Sequence, residues 1–575
     1  MMPHNCHQAE LTRRMRTRKS CMMALAITLW SSLSAAYAEG TEDPEFCVAL
    51  RGNGYKVPVT LAALARLTEE FGVAEVVLGS SSGSIAAFLY ENILSNPALR
   101  QCAGQPCPPD VLARRVSLAL KSMLGFGDYL RATSSGQVVA RTAEKMATGQ
   151  GPGLAEIWAV LTDPALVRMI NTRAVLPGWA LLNPFNWSTH ATRLQRSARA
   201  TNFGSGVDFE LLVREGLLDL EYTVRLIGQV GDFYSNSGPD LQPQWQAFFQ
   251  HCTGTQINTG WPSIARRPMP QASSCGTALK DMVTDFNARA YPPTRRIVHR
   301  ATRRVPRFER IVEPASLQRT VGQNHPTLMT ASLVTGSGPA QEFADLKKQY
   351  DRFRNLQLTP RDWLQQFRVA YFGPPQLLNR IARNERGFGD VKSQRFYPAG
   401  EERWGETMVR SIGEPGLQAA RTYRSPAGEV GITAGGWVDN FGTQPLKNLG
   451  CKAVAFVTRR GTDSNFASAV ARQLGADDDF VHDLFAPTAG TAVGNALANA
   501  DAIVCTDWDS FNGPLNSPME MAAHGYESPL VTQSAWFLNK VSDTYDVQTT
   551  YDTPGCKPPT PLPQADAPST DTSPH

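Results

Sequence analysis

The apolar positions fall into short blocks whose spacing switches between strand and helix. Residues 46–50, FCVAL, form an unbroken apolar run that predicts a buried strand. A polar, glycine-rich turn follows (RGNGYK), and then Leu61, Leu64, Leu67 and Phe71 recur at the spacing of one helical face. The run EVVL predicts a second strand, GSSSG a sharp turn, and the apolar stretch from about Ser84 a second helix. Strand, loop, helix, strand, loop, helix is a βαβα unit with both loops at the carboxyl ends of its strands, where such sheets bind ligands.

Further along, residues 110–250 carry mostly helical spacing, as in DVLARRVSLALKSMLGF, GLAEIWAVLTDPALVRMI and DFELLVREGLLDLEYTVRLIGQV. These helices read equally as a cap sheltering acyl chains or as plain core. Residues 251–274 read as a polar loop. Strand-like composition returns at HPTLMTASLV, amphipathic stretches at 341–356 and 363–380, and a helix from Met408. CKAVAFVTRRG and ADAIVCTDW predict parallel core strands separated by a helix, SNFASAVARQLG. The end, rich in Pro, Thr, Ser and Asp, predicts a disordered tail.

Before the first strand, five basic residues (Arg13, Arg14, Arg16, Arg18, Lys19) precede an apolar run at 22–33 and the small-x-small site Ala36-Tyr37-Ala38. This predicts a signal peptide cleaved near Ala38 and a protein that is periplasmic or secreted. The apolar run is short for a membrane span. Loss of Cys6 and Cys21 with that segment leaves eight of the ten cysteines in an oxidising compartment. Cys102 can pair with Cys107 and Cys252 with Cys275, whereas Cys47, Cys451 and Cys505, lying in or beside apolar strands, are expected as buried thiols. The nine histidines show no metal-ligand spacing and no calcium-ligand run is evident, so neither metal nor cofactor is expected. A formal charge of +4 and the lack of a nucleic-acid motif argue against DNA or RNA as partners. The seven arginines of residues 295–310 read as a solvated face or as a patch for peripheral contact with an anionic membrane surface. Oligomeric state has no signature in the sequence.

The chemistry concentrates in GSSSG. A G-x-S-x-G turn between strand and helix is a nucleophile elbow, which makes Ser81 the candidate nucleophile. The glycines upstream can turn backbone N–H groups toward one point, so Gly52, Asn53 and Gly54 are candidates for an oxyanion hole.

These motifs resemble those of the patatin-like phospholipases, a family of lipid acyl hydrolases. That family opens with a glycine-rich oxyanion loop ending in Arg or Lys and, after one helix, continues with G-x-S-x-G. RGNGYK and GSSSG match in order and spacing, and Lys56 takes the basic, anion-binding position. MVRSIGEPGLQAARTY is similar to the family's small-residue helix, with Ser411 and Pro415 in the matching places. The third motif, D-G-G or D-G-A, supplies the aspartate of a Ser-Asp dyad. Here AGGWVDN places Ala434 at that position, and Asp439 follows five residues on.

The resemblance implies a patatin-like three-layer α/β/α sandwich, interrupted by a large, mostly helical insertion. It divides the chain into a core part at 43–100, the insertion at 101–320, the rest of the core at 321–545 and a tail from 546. It also implies hydrolysis of lipid esters by Ser81 with Asp439 as base. Two other readings compete: a patatin-fold lipid-binding protein that has lost its base, and an α/β-hydrolase whose triad adds Asp507 or Asp509 and then His524.

Overall fold

A computed structural model describes residues 43–132 (without 53 and 55), 218–235, 241–252, 278–286 (without 280), 313–334, 355, 357, 368–384, 396–413, 418, 421–434 (without 426 and 427), 442–459, 492–506, 525–541, 547–549 and 556–558. The chain divides into units Met1–Pro44 and Glu45–His575, and the description below concerns the second.

Its centre is a mixed, mostly parallel sheet that has 11 strands among the described residues. In chain order these are β1 (Phe46–Leu50), β2 (Val76–Ser80), β3 (Thr327–Val334), β4 (Arg368–Phe372), β5 (Phe396–Gly400), β6 (Arg421–Ser425), β7 (Gly428–Thr433), β8 (Ala453–Arg459), β9 (Ala502–Thr506), β10 (Leu530–Thr532) and β11 (Val547–Gln548). Across the sheet the order is β11-β10-β9-β8-β1-β2-β3-β4-β5. β9, β8, β1, β2 and β3 run parallel. β4 joins β3 antiparallel.

The continuous apolar runs predicted for β1, β8 and β9 follow from this topology. A strand with parallel neighbours and covered on both faces has no polar side to present. Every side chain of β1 and β9 is buried. Each fully buried Val, Leu or Phe of these strands contributes roughly 1.5–3 kcal/mol.

Helix α1 (Val57–Phe71) crosses from β1 to β2, and α2 (Ser82–Leu94) leaves β2. α3 (Pro109–Ala132) packs beside α1. The described helices between residues 218 and 252 add buried side chains to the hydrophobic core. In α4 (Leu220–Tyr234), Gly231 approaches α2 so closely that a Cβ would lie 2.6 Å from the Phe88 ring. Asp232, on the same helix, accepts from the N–H groups of Ala315 (3.0 Å) and Ser316 (2.6 Å). In α5 (Leu241–Cys252), Trp245 and Phe249 are fully buried. The segment 133–217, much of the stretch read as cap or core, lies outside the described residues, as does the arginine-rich stretch 295–310.

Three expectations are corrected. Cys47 and Cys451 are not thiols but a disulfide joining β1 to a residue two positions before β8, and Cys505 of β9 is bridged to Cys556. The tail therefore remains attached at least to Cys556, which is fully buried, and β11 extends the sheet edge past residue 546. Residues 363–380, expected as one amphipathic stretch, contain β4 and then α6 (Pro375–Arg383), because Pro374 and Pro375 end the strand and open the helix. Cys102 and Cys107 are paired as expected. Cys252 is disulfide-bonded, with its partner outside the described residues. Among the described residues no helix is long and apolar enough to cross a membrane.

Candidate active site

Ser81 is the residue on which β2 turns into α2. Its backbone sits at φ 49°, ψ −125°, a positive φ that costs a non-glycine residue on the order of 1–3 kcal/mol. The surrounding backbone is packed too tightly for another course. A Cβ on Gly83 would lie 2.2 Å from the Leu50 carbonyl oxygen, and one on Gly79 would lie 2.5 Å from that of Gly83. The two glycines of GSSSG thus let β1, β2 and the first turn of α2 meet backbone to backbone. Ser81 is held from both sides. Its carbonyl accepts from the Ser84 N–H at 2.9 Å and from the Ser84 hydroxyl, while its N–H donates to Ser411 Oγ at 2.9 Å. Its side chain, unlike those on either side, remains partly exposed at the start of α2, where the helix dipole favours negative charge.

The loop after β1 reaches this turn. A Cβ on Gly52 would stand 2.6 Å from Ser81 Cβ and 3.2 Å from Ser81 Oγ, so Gly52 lies directly against the candidate nucleophile. Gly54 is exposed at φ 58° with open space around it, and Asn53 lies outside the described residues.

Lys56, expected at an anion, is buried. Burial, and then the charge of Arg459 at the end of β8, push its amine down to about 6. Arg51, also buried, is lowered by the same two causes in the same order, and its Nη1 donates to Thr458 Oγ1 at 3.1 Å. Both cations thus sense β8, the neighbour of β1 on the side away from Ser81.

Ala434 comes to the same end of the sheet by strand pairing. Ser332 and Leu333 of β3 pair with β4 on one side and with Thr433 and Ile432 of β7 on the other. Met329 and Thr330 pair with β4 on that first side and with Gly79 and Ser80 of β2 on the other. β2 and β7 therefore share one edge of β3, with β7 beginning where β2 ends at the Ser81 turn. Helix α7 (Trp404–Ile412) ties the two together: Ser411 holds the Ser81 N–H, and the Gly413 carbonyl accepts the Ala434 N–H at 3.0 Å. Beyond Ala434, which is fully buried, Asp439 lies outside the described residues. The chain is described again at Gly442, where a Cβ would lie 2.3 Å from a methyl of Leu78 in β2, just before α8 (Thr443–Leu449). Asp507, Asp509 and His524 also fall outside the described residues.

Of the expected site residues, Ser81 and Gly52 are in contact, and the Ala434 strand end is fastened to the same helix. Sequence reasoning missed the task of Ser411, whose place in a motif was visible but whose contact 330 residues upstream was not. It missed Ser84 as well, although a serine three residues after the turn residue is a usual partner for a first-turn carbonyl.

Taken together, these features define an α/β protein with a strained serine at a strand-to-helix turn and a glycine loop against it. Comparison with models of known protein families, with curated proteins and with solved structures returns no match.

Proposed function

We propose that this chain is an exported, patatin-like serine lipid acyl hydrolase that cleaves carboxylic esters of phospholipids or related lipids. The observation that carries this reading is Ser81 at positive φ, braced on both sides, with the Gly52 backbone against its side chain. Proteins maintain strain of this kind where the surrounding structure over-determines it, and such places cluster at active sites. In the proposed reaction, Asp439 takes the Ser81 hydroxyl proton as Oγ attacks the ester carbonyl. Backbone N–H groups of Gly52, Asn53 and Gly54 hold the oxyanion, and the leaving alcohol recovers the proton. Water then hydrolyses the acyl-Ser81 ester. The reading of Asp439 as base is supported by its flanks, since Ala434 is fastened to α7 beside the Ser81 turn and Gly442 packs on β2. The disulfides are compatible with export, and cleavage near Ala38 belongs to the same reading. Neither a metal nor a cofactor enters the proposed chemistry.

The test is covalent labelling of the purified mature protein with a fluorophosphonate, mapped by mass spectrometry. A single adduct on Ser81, lost in Ser81→Ala, is the expected result. A folded protein that takes no label refutes the reading.

One observation favours a second reading, a lipid-binding protein without activity: Ala434, with no acid to offer, is buried where the resemblance places the dyad aspartate. A large gain of esterase activity in Ala434→Asp, starting from an inert parent, would support it.

A further inference from the structure

We infer that Ser411 is the positioning residue of the Ser81 nucleophile, an inference that rests on the proposed hydrolase reading for its catalytic consequence. The Ser81 N–H lies past the ladder between β2 and β3, which ends at the pair Ser80 and Thr330. α2 gives it no partner either, because the residue opening a helix has no preceding turn to donate to. Its acceptor is the hydroxyl of Ser411, 2.9 Å away, from a side chain that is fully buried. In this part-buried turn an N–H without an acceptor is costly, so this hydroxyl favours the strained turn over relaxed alternatives.

The helix that presents Ser411 is itself fixed. The Trp404 N–H donates to the Arg319 carbonyl at 2.9 Å, and the Trp404 ring packs edge-on against Phe88 of α2 at 5.2 Å between centroids. Because Gly413, just past the carboxyl end of α7 that carries Ser411, accepts the Ala434 N–H, one helix sets the spacing between the nucleophile and the strand that leads to Asp439. The contact also assigns donors. The N–H of Ser81 is committed to Ser411, which leaves oxyanion binding to other N–H groups, those of the Gly52 loop first.

The experiment compares Ser411→Ala, Ser411→Cys and Ser411→Thr in the full mature chain. Cys nearly preserves volume but accepts hydrogen bonds weakly, and Thr keeps the hydroxyl. Three quantities are read: the rate of fluorophosphonate labelling at Ser81, kcat and KM on a short-chain nitrophenyl ester, and residue-resolved hydrogen exchange of the Ser81 amide. Ala and Cys are expected to slow labelling and kcat on the order of 10- to 100-fold at unchanged KM, with faster amide exchange, while Thr stays near the parent. Equal labelling rates in folded Ser411→Ala and parent would overturn the inference, as would equal losses in Cys and Thr. If Ser411→Ala fails to fold, the Cys variant decides. If the parent takes no label and turns over no ester, the hydrolase reading fails. Amide exchange then judges Ser411 alone: unchanged exchange in the Cys variant refutes its hold on Ser81.

Discussion

Replacing Gly52 with alanine puts the site geometry to a quantitative test. The added Cβ would stand 2.6 Å from Ser81 Cβ, 3.1 Å from the Ser80 carbonyl oxygen and 3.2 Å from Ser81 Oγ. Carbon atoms pack best at about 3.5–4.0 Å, so the loop and the serine must part by about 1 Å. Ser81 is pinned by Ser411 and Ser84, and the loop follows a central strand, so neither side yields freely. Overpacking of this size costs about 1–3 kcal/mol of stability. A displacement of about 1 Å at a reacting atom lowers the rate about 100-fold. Gly72→Ala is the control: Gly72 sits at φ 98° after α1 with open space around it, so alanine there costs roughly 1–3 kcal/mol of backbone strain without touching Ser81. Thermal unfolding should show comparable losses for the two variants, and fluorophosphonate labelling should slow only in Gly52→Ala. Labelling of Gly52→Ala at the parent rate would refute the contact between loop and nucleophile.

Two further outcomes follow from groups away from the serine. The Cys47–Cys451 disulfide closes a sequence separation of 404 residues, so replacing both cysteines with serine should lower stability by about 2–5 kcal/mol, read by calorimetry without reductant; an unchanged unfolding temperature would contradict it. Glu91 is buried on α2 and accepts from the N–H groups of Gly322 (2.9 Å) and Asn324 (3.2 Å), and burial pushes its carboxyl up to about 7 from 4.5. Because the folded-state value is the higher one, its contribution to stability is full below about pH 4.5 and is lost as pH rises through about 7. Denaturant unfolding across that window should show a slope that Glu91→Gln removes, and persistence of the slope in the variant would assign it elsewhere.

What could be read from the chain beforehand was local. The apolar runs of β1, β2, β8 and β9 and the glycines of GSSSG carry their own signal, an unbroken apolar block or a turn that only small residues allow, so each element is legible without knowing its distant partner. The misreadings share a different cause. Cys47 and Cys451 sit beside hydrophobic runs, and composition does not separate a buried thiol from half of a bridge whose partner is hundreds of residues distant. Residues 368–372 and 375–383 were merged because a short strand and the helix after it, both half apolar, blur into one amphipathic stretch unless the two prolines are given full weight. The hydroxyl of Ser411 was legible as a motif position, but the N–H it holds belongs to the other end of the chain.

The placing of β1 between β2 and β8 also bears on how the molecule comes to exist. β2 lies some thirty residues after β1, whereas β8 begins at Ala453. During synthesis the middle strand therefore waits with one edge open while most of the chain emerges, and its hydrogen-bonding groups are a template for any strand that arrives first. Pairings this distant are slow to form. The nascent protein thus keeps a wholly apolar strand open along one edge until β8 is made, and chaperone dependence or aggregation during folding should trace to that edge.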